Sequence, residues 1–600
     1  MCGIFFSLST SGPVLPAEET ATLLRNRGPD SFQTHTIQLG IAPGQDSVEK
    51  LSLTFISTVL ALRGDHVHAQ PLVDDASKSV LCWNGEAWKI SDDPVQGNDT
   101  ELIFSLFLDC VKVNGDVASP PDSLGRICNL VNSISGPFSF VFYDGINSRI
   151  YYSRDCLGRR SLLQGVDEEG NLRICSICDG TSSTHFEEVD TNGLHMIDLA
   201  RTFRDDSLDT AVLNHAGRAS AFNITTIPWL SKDDATTPTY FLNPIPSMNR
   251  EVPAGTPPTL DLGSPAVETL RQKLWRSLEL RIRNVPEPPH YSAAQNSKVA
   301  VLFSGGLDCT VLARLAHEIL PADESVDLLN VAFENPRVAA AAAKSQTKSN
   351  ESVYERCPDR ITGRAAHAEL QSVCPGRTWR FVAIDVPYSE TSEHRERVKR
   401  LMRPHNTEMD LSIACALYFA SRGQGTIAQV TGETTQAVPY TTSARVLISG
   451  LGADELFAGY GRHGVAFSRD GFAGLIDEID LDVGRLGKRN LGRDDRVISH
   501  WGREARFPYL DEDFVAWAVQ APVWEKCGFG TETPDPDSSA NSNTNGTDID
   551  DIEAQKRVLR LLALRLGMKN VAREKKRAIQ FGARTAKMES GKSKGTHILT

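Results

Sequence analysis

Four short stretches carry residues whose types and spacing could do chemistry. The chain opens MCGIFFSLS. Removal of Met1, which a small second residue permits, leaves Cys2 with a thiol and the chain's α-amine. An α-amine of pKa about 7.7–8.0 is partly unprotonated at neutral pH, so the residue is a nucleophile carrying its own base. The alternative is a small buried residue that starts a strand. In VAVLFSGGLDCTVLARLA, a hydrophobic strand ends in Ser304, Gly305, Gly306 and Leu307, and Asp308 opens a helix. Glycines let the backbone approach an anion, and the free N–H groups and dipole of the helix start favour it, so phosphate is the natural ligand. A tight strand-to-helix turn is the bland alternative. VLISGLGADELFAGYGRH runs a second strand into Ser449 and Gly450, with Asp454 and Glu455 adjacent. These two carboxylates at a sheet's carboxyl edge, with Asp308 on the neighbouring turn, could hold Mg²⁺ against pyrophosphate, where capping is the alternative. Lys575 and Lys576 in REKKRAIQFGAR could neutralise developing charge, or lie on a solvated basic helix or nuclear signal.

The elements that position these residues differ between the two halves of the chain. Up to about residue 235 short alternating runs dominate. In GPFSFVFYDG, Phe138, Phe140 and Phe142 share one face, and SRIYYSRD follows a turn at Gly145 to Asn147, which predicts a hairpin. Residues 236–263 are dense in proline without a sustained period and form the expected linker. Beyond them, Val267, Leu270, Leu274, Leu278 and Ile282 recur at helical spacing, with Ser264 as cap and Pro265 in the first turn. Strands such as KVAVLF and ARVLISG then alternate with helices such as VLARLAHEIL, which predicts a parallel sheet covered on both faces. Two stretches read as inserted loops: 338–352, and the polar, acidic segment near 533–551, which is expected to be disordered.

In the order MCGIF, RNRGPDS, LCWNGEAW and GNDTELIF, the first half resembles the class II glutamine amidotransferase domain. SGGLD resembles the PP-loop of ATP pyrophosphatases, which split ATP into AMP and pyrophosphate to adenylate a substrate. Cys309 stands where that family usually has serine, with Thr310 beside it to offer a hydroxyl. Joined in one chain, the two resemble an asparagine synthetase. RPHNTEMDLSIACALYFASRG, PDRITG, SGLGADE and KKRAIQFGAR bring the resemblance closest to the asparagine synthetase domain-containing branch.

The resemblance implies an α+β N-terminal-nucleophile αββα glutaminase domain at 1–235, then an α/β parallel-sheet PP-loop synthetase domain at 264–600. It implies glutamine, aspartate and ATP as substrates, with Mg²⁺. Cys2 would attack the glutamine carboxamide, with Asn84 and the N–H of Gly85 as oxyanion hole. Arg63 would hold the α-carboxylate, Asp99 would pair with the α-ammonium, and Glu86 would help position the substrate. Ser304, Gly305, Gly306, Leu307, Asp308, Val331, Ser449, Gly450 and Lys576 would bind ATP and pyrophosphate, with Asp308 and Asp454 on the metal. Family members usually read SGEGxDE at the second turn, whereas this chain has Leu451, which can transfer no proton. Losing a general acid or base typically costs about 10²–10⁴ in rate. A regulatory or ligand-binding pseudo-synthetase, or amidation of a different carboxylate, therefore stays open.

Composition narrows the partners. Over 600 residues, 40% are hydrophobic, 23% are charged and the net charge is −13, which argues against a nucleic-acid binder. The 12 cysteines lack framework spacing and no secretory signal or membrane-length apolar run is found, so reduced thiols and a cytoplasmic setting are expected, with the oligomeric state open. His66 and His68 are read as two residues on one face of a strand, packing or exposed rather than a metal pair. Cys156, and the C-x-x-C pair Cys175 and Cys178, are read as chance spacing.

Overall fold

Alternation at period two builds the first part of the chain. The computed structural model describes residues 2–40, 50–113, 116–117, 120–178, 184–201, 222–230, 241–292, 295–344, 352–431, 434–531, 552–588 and 594–599. Strand β1 (Gly3–Ser9) is buried along its length, sending Ile4, Phe6 and Leu8 into one core and Phe5 into another. Helix α1 (Glu18–Arg27) packs on β1 and on the strand Lys50–Val59. Next come β2 (Ser79–Gly85), α2 (Asp99–Val111), whose first turn is capped by Asn98, and α3 (Pro120–Ser133). The predicted hairpin is β3 (Phe138–Asp144) paired antiparallel with β4 (Arg149–Arg154).

These strands lie in two six-stranded antiparallel sheets among the described residues, one holding β1 and the other β2, β3 and β4. Val141 and Tyr143 of β3 meet Ile4 and Phe6 in the core between the sheets. Phe138, Phe140 and Phe142 point the other way, onto Phe107 of α2 and Ile127 of α3. The layers therefore run helices, sheet, sheet, helix, because each strand of the hairpin is apolar on both faces.

Residues 241–263 contain neither helix nor strand, yet Met248 and Leu260 are buried. Helix α4 (Pro265–Ile282) buries all five periodic residues named above. Ser264 does occupy the position before it but makes no side-chain cap, because its hydroxyl donates to Asp261 at 2.9 Å. Then follow β5 (Val299–Leu302), α5 (Leu307–Ile319), β6 (Val446–Ile448), α6 (Leu491–Ser499) and β7 (Glu504–Arg506). They belong to a seven-stranded sheet in the order 434–441, 424–431, 379–386, 326–333, β5, β6, β7. Its five strands from 379–386 to β7 are parallel, whereas 424–431 and 434–441 form an antiparallel hairpin on the edge. The expected loop at 338–352 is instead partly helical: Pro336–Lys344 forms a helix, since a run of alanines carries high helix propensity. Residues 345–351 and the insert near 533–551 lie outside the described residues. No helix among the described residues is long and apolar enough to cross a membrane.

Candidate functional site

The start of β1 brings Cys2 against the end of β2. Asn84 Oδ1 accepts a hydrogen bond from the Cys2 nitrogen at 2.9 Å, and Asn84 Nδ2 donates to Ser139 Oγ at 3.4 Å. Gln70 Nε2 lies 3.7 Å from Cys2 Sγ, and the Gln70 amide is fixed in turn because its Oε1 accepts from the Trp83 N–H at 2.8 Å. Burial pushes the Cys2 thiol up from its ordinary value, with Asp99 and Glu504 adding to the rise. The resting group is thus a thiol, and its chemistry requires a base beside it. Gly85 is held to a bare Cα, since a Cβ there would sit 2.6 Å from the Pro137 carbonyl oxygen.

Asp99, Glu86 and Arg63 converge on the same corner. Asp99 Oδ2 accepts from the Ala87 N–H at 2.9 Å and from Trp83 Nε1 at 3.2 Å. Arg63 donates to the carbonyls of Ala87 (2.7 Å) and Val95 (2.6 Å) and lies 3.7 Å from Glu86 Oε2. Its guanidinium has five donors, so these two bonds orient it and leave others for a ligand carboxylate. Glu86 is buried, with Oε1 accepting from Arg506 at 3.2 Å.

The second group of predicted residues lines one cavity of about 770 Å³. Ser304, Gly306, Leu307, Asp308, Val331, Ser449, Gly450, Asp454 and Lys576 all contribute to its wall. Strands β5 and β6 are adjacent and parallel, so their carboxyl ends set the two glycine turns side by side. Gly305 does different work: at φ +79°, it packs against Gly363, where a Cβ would lie 2.4 Å from the backbone nitrogen. The expected hydroxyl of Thr310 is not offered to the cavity, because that residue, the fourth of α5, is fully buried and Cys309 takes the wall position.

Lys556 is the residue sequence reasoning missed. Its Nζ lies 2.8 and 2.7 Å from the two Asp308 oxygens and 2.7 Å from Asp454 Oδ1, and Lys576 bonds the other Asp454 oxygen. Burial raises the Asp308 carboxyl, while at Asp454 Lys556 and Lys576 overcome burial and hold it well below the carboxylate range. Two half-buried carboxylates meeting at one buried lysine are a hard-oxygen donor set of the kind Mg²⁺ takes alongside phosphate oxygens. Lys556 had no glycine turn to mark it, only a position 248 residues from its partner. Leu451 packs against the hydrophobic core and lines the cavity, while Glu455 is buried with its carboxylate accepting from the Tyr460 hydroxyl at 2.6 Å.

Other predicted residues stay apart from both sites. His66 and His68 sit in a loop rather than on a strand. Their ring nitrogens meet carboxylates, Asp65 at 2.7 Å for His66 and Glu101 at 2.8 Å for His68, and Asp65 and His66 are exposed. Cys175 and Cys178 are buried, and Cys156 is half-buried.

No protein-family model matches the chain. Asparagine synthetase domain-containing protein 1 of Bos taurus is 33% identical to it over 674 residues, covering 99% of this chain and 97% of that protein. The protein of the same name from Homo sapiens is 32% identical over 664 residues, covering 98% and 96%. Among solved structures, glutamine phosphoribosylpyrophosphate amidotransferase from B. subtilis, complexed with ADP and GMP, aligns with a TM-score of 0.21 at 13% identity, over 55% of this chain and 66% of that one.

Proposed function

The chain belongs to the asparagine synthetase domain-containing protein family, and from that premise we propose that it is a glutamine-hydrolysing, ATP-dependent amide ligase. Residues 1–235 form the N-terminal-nucleophile glutaminase, 236–263 the linker and 264–600 the PP-loop synthetase. With Met1 removed, the nitrogen bonded to Asn84 Oδ1 becomes the α-amine. It takes the thiol proton, and the thiolate attacks the side-chain carbonyl of glutamine. Charge on the carbonyl oxygen falls to Asn84 Nδ2 and the Gly85 N–H, two donors of a kind each worth about 10²–10³ in turnover. The ammonium then protonates the leaving nitrogen, ammonia departs, and water hydrolyses the glutamyl thioester. Arg63 holds the α-carboxylate, while Asp99 and Glu86 hold the α-ammonium.

In the second cavity the glycine turns at 304–308 and 449–450 receive the phosphates of ATP. Mg²⁺, held by Asp308 and Asp454, would neutralise phosphate charge. Lys556 and Lys576 face the departing pyrophosphate as an acceptor carboxylate, that of aspartate, attacks the α-phosphorus. Ammonia then displaces AMP from the acyl-adenylate. The proton-transfer group that Leu451 cannot supply is offered by Glu455, whose carboxyl burial raises towards a usable value.

The observation that carries this reading is the meeting of both carboxylates and both lysines at two adjacent glycine turns. Purified protein given glutamine, aspartate and Mg-ATP is expected to form asparagine and release pyrophosphate above an Asp308→Ala control. No pyrophosphate with any of a range of carboxylate acceptors would falsify the proposal. The packing of Leu451 against the core favours one second reading, a pseudo-synthetase that keeps its ligand sites. It is supported if Leu451→Glu creates asparagine formation that the native chain lacks.

A further inference from the structure

One oxygen of Glu86 is already spoken for by the far half of the chain. Arg506, on β7, is buried and donates from all three guanidinium nitrogens: Nε to Glu504 Oε1 at 2.6 Å, one terminal nitrogen to the Arg281 carbonyl at 2.6 Å, the other to Glu86 Oε1 at 3.2 Å. Its guanidinium also lies 4.9 Å from the centre of the Trp88 ring. A planar cation with every nitrogen engaged is held in one orientation, and it fixes the Glu86 carboxylate in turn. The other oxygen, Oε2, is buried without a hydrogen-bond partner, and Arg63 stands 3.7 Å away. A buried carboxylate oxygen left without a donor is costly unless a ligand supplies one. An ammonium group is the donor of matching charge.

We propose that Arg506 is a positioning residue of the glutamine subsite, holding Glu86 oriented and favouring its ionised form, so that its free oxygen receives the α-ammonium of the substrate. The inference rests on the glutaminase reading above and adds to it a residue from the synthetase sheet. The charged groups facing Glu86 come from three places: Glu504 and Arg506 on β7, Asp99 on α2, and Arg63 beyond the strand Lys50–Val59. Burial, then the charge of Glu504, pushes the Glu86 carboxyl up to about 8, with Arg506 and Arg63 opposing and Asp99 adding to the rise. Glutamine binding therefore strengthens as pH rises and Glu86 ionises. Arg506 is the larger of the two cationic influences opposing the rise at Glu86. The same residue is bonded to the wall of the second cavity, because its backbone carbonyl accepts from the N–H of Ser449, which lines that cavity, at 3.0 Å.

The test is calorimetric titration of L-glutamine into full-length Cys2→Ala protein between pH 6 and 8.5, where no turnover intervenes. Affinity is expected to climb with pH in the parent and to lose that climb in Glu86→Gln. Arg506→Gln removes a cation at hydrogen-bond distance, so the climb should move up by about one to three pH units. Binding at pH 7 should weaken roughly tenfold for each unit. Arg506→Lys should keep most of the original position. Glu504→Gln should shift the climb to lower pH, a direction that simple damage to packing would not produce. Arg506→Gln and parent curves that coincide would overturn the assignment. If Arg506→Gln does not fold, Glu504→Gln decides, and a curve unmoved or displaced upward overturns it. A parent that binds no glutamine at any pH instead sinks the glutaminase reading itself.

Discussion

Cys2→Ala is expected to cut ammonia release from glutamine on the order of 10⁴-fold or more, the scale seen when a nucleophile acting with its base is deleted. The reason lies in how little else at that corner could replace it. Asn84, Gln70, Asp99 and Glu86 orient and stabilise, but none is a nucleophile beside a free amine. The thiol is buried and held above its ordinary pKa, so in the proposed reaction a thiolate pre-formed at rest would not serve and the α-amine would have to act as base. Cys2→Ser keeps the geometry and the amine with a weaker nucleophile, so it should fall nearly as far. Pyrophosphate formation with an ammonium salt as nitrogen donor should survive both changes, because hydrogen-bond partners of Cys2 such as Asn84, Arg27 and Gln70 lie outside the lining of the second cavity. A coupled assay for glutamate and ammonia reads the first effect and a pyrophosphate assay the second. Retention of glutaminase activity in Cys2→Ala would place the nucleophile elsewhere and remove the basis for the first half of the proposal.

What the sequence made legible was local. The hairpin at Phe138 to Arg154 could be read because period two is written in consecutive residues, and helix α4 because five apolar residues recur at helical spacing. The glycine turns at 304 and 449 announced themselves through residue type alone. What stayed hidden were partnerships across long sequence separations. Arg27 donates to the Cys2 carbonyl at 3.3 Å, and its other nitrogens bond Ser499 at 2.5 Å and Asp495 at 2.8 Å on α6. Asp30 holds Arg445 through two bonds, at 2.7 and 3.0 Å. Charged residues of this kind read as surface in a linear sequence, since such groups are rarely buried unless paired. Only the fold reveals the partner. The edge hairpin at 424–441 was missed for a different reason: most of its second strand is exposed, so its apolar pattern is weak. The helix at 336–344 hid because a short run of alanines carries helix propensity but few large apolar residues to mark a face.

Lys556→Met is the change expected to damage the second site most, in both stability and chemistry. Methionine keeps an unbranched chain of similar reach, so the effect reports the lost charge rather than a large cavity. It leaves Asp308 and Asp454 half-buried beside one another with Lys576 as the remaining direct cation on Asp454. Removing one partner of a buried ion pair typically costs about 3–5 kcal/mol, because the surviving charge stays out of water. The pH dependence has a definite sign. In the parent, Asp454 titrates below its unfolded value, so its contribution is present above that value and is lost as acid protonates the folded form. Without Lys556 both carboxyls are pushed up. Their ionisation then opposes folding, and the destabilisation grows as pH rises from about 4 towards neutrality. Thermal melts of the variant should therefore approach those of the parent at acid pH and fall furthest behind near pH 8. Added MgCl₂ should recover part of the loss, since a divalent cation can replace the missing charge between two carboxylates. Pyrophosphate release should fall by about 10²-fold or more with the loss of one preorganised cation facing the leaving group. A variant as stable as the parent at pH 8, with unchanged pyrophosphate release, would show that Lys556 does not bridge the carboxylates in solution. The proposed nucleotide site would then have to be rebuilt around Lys576 alone.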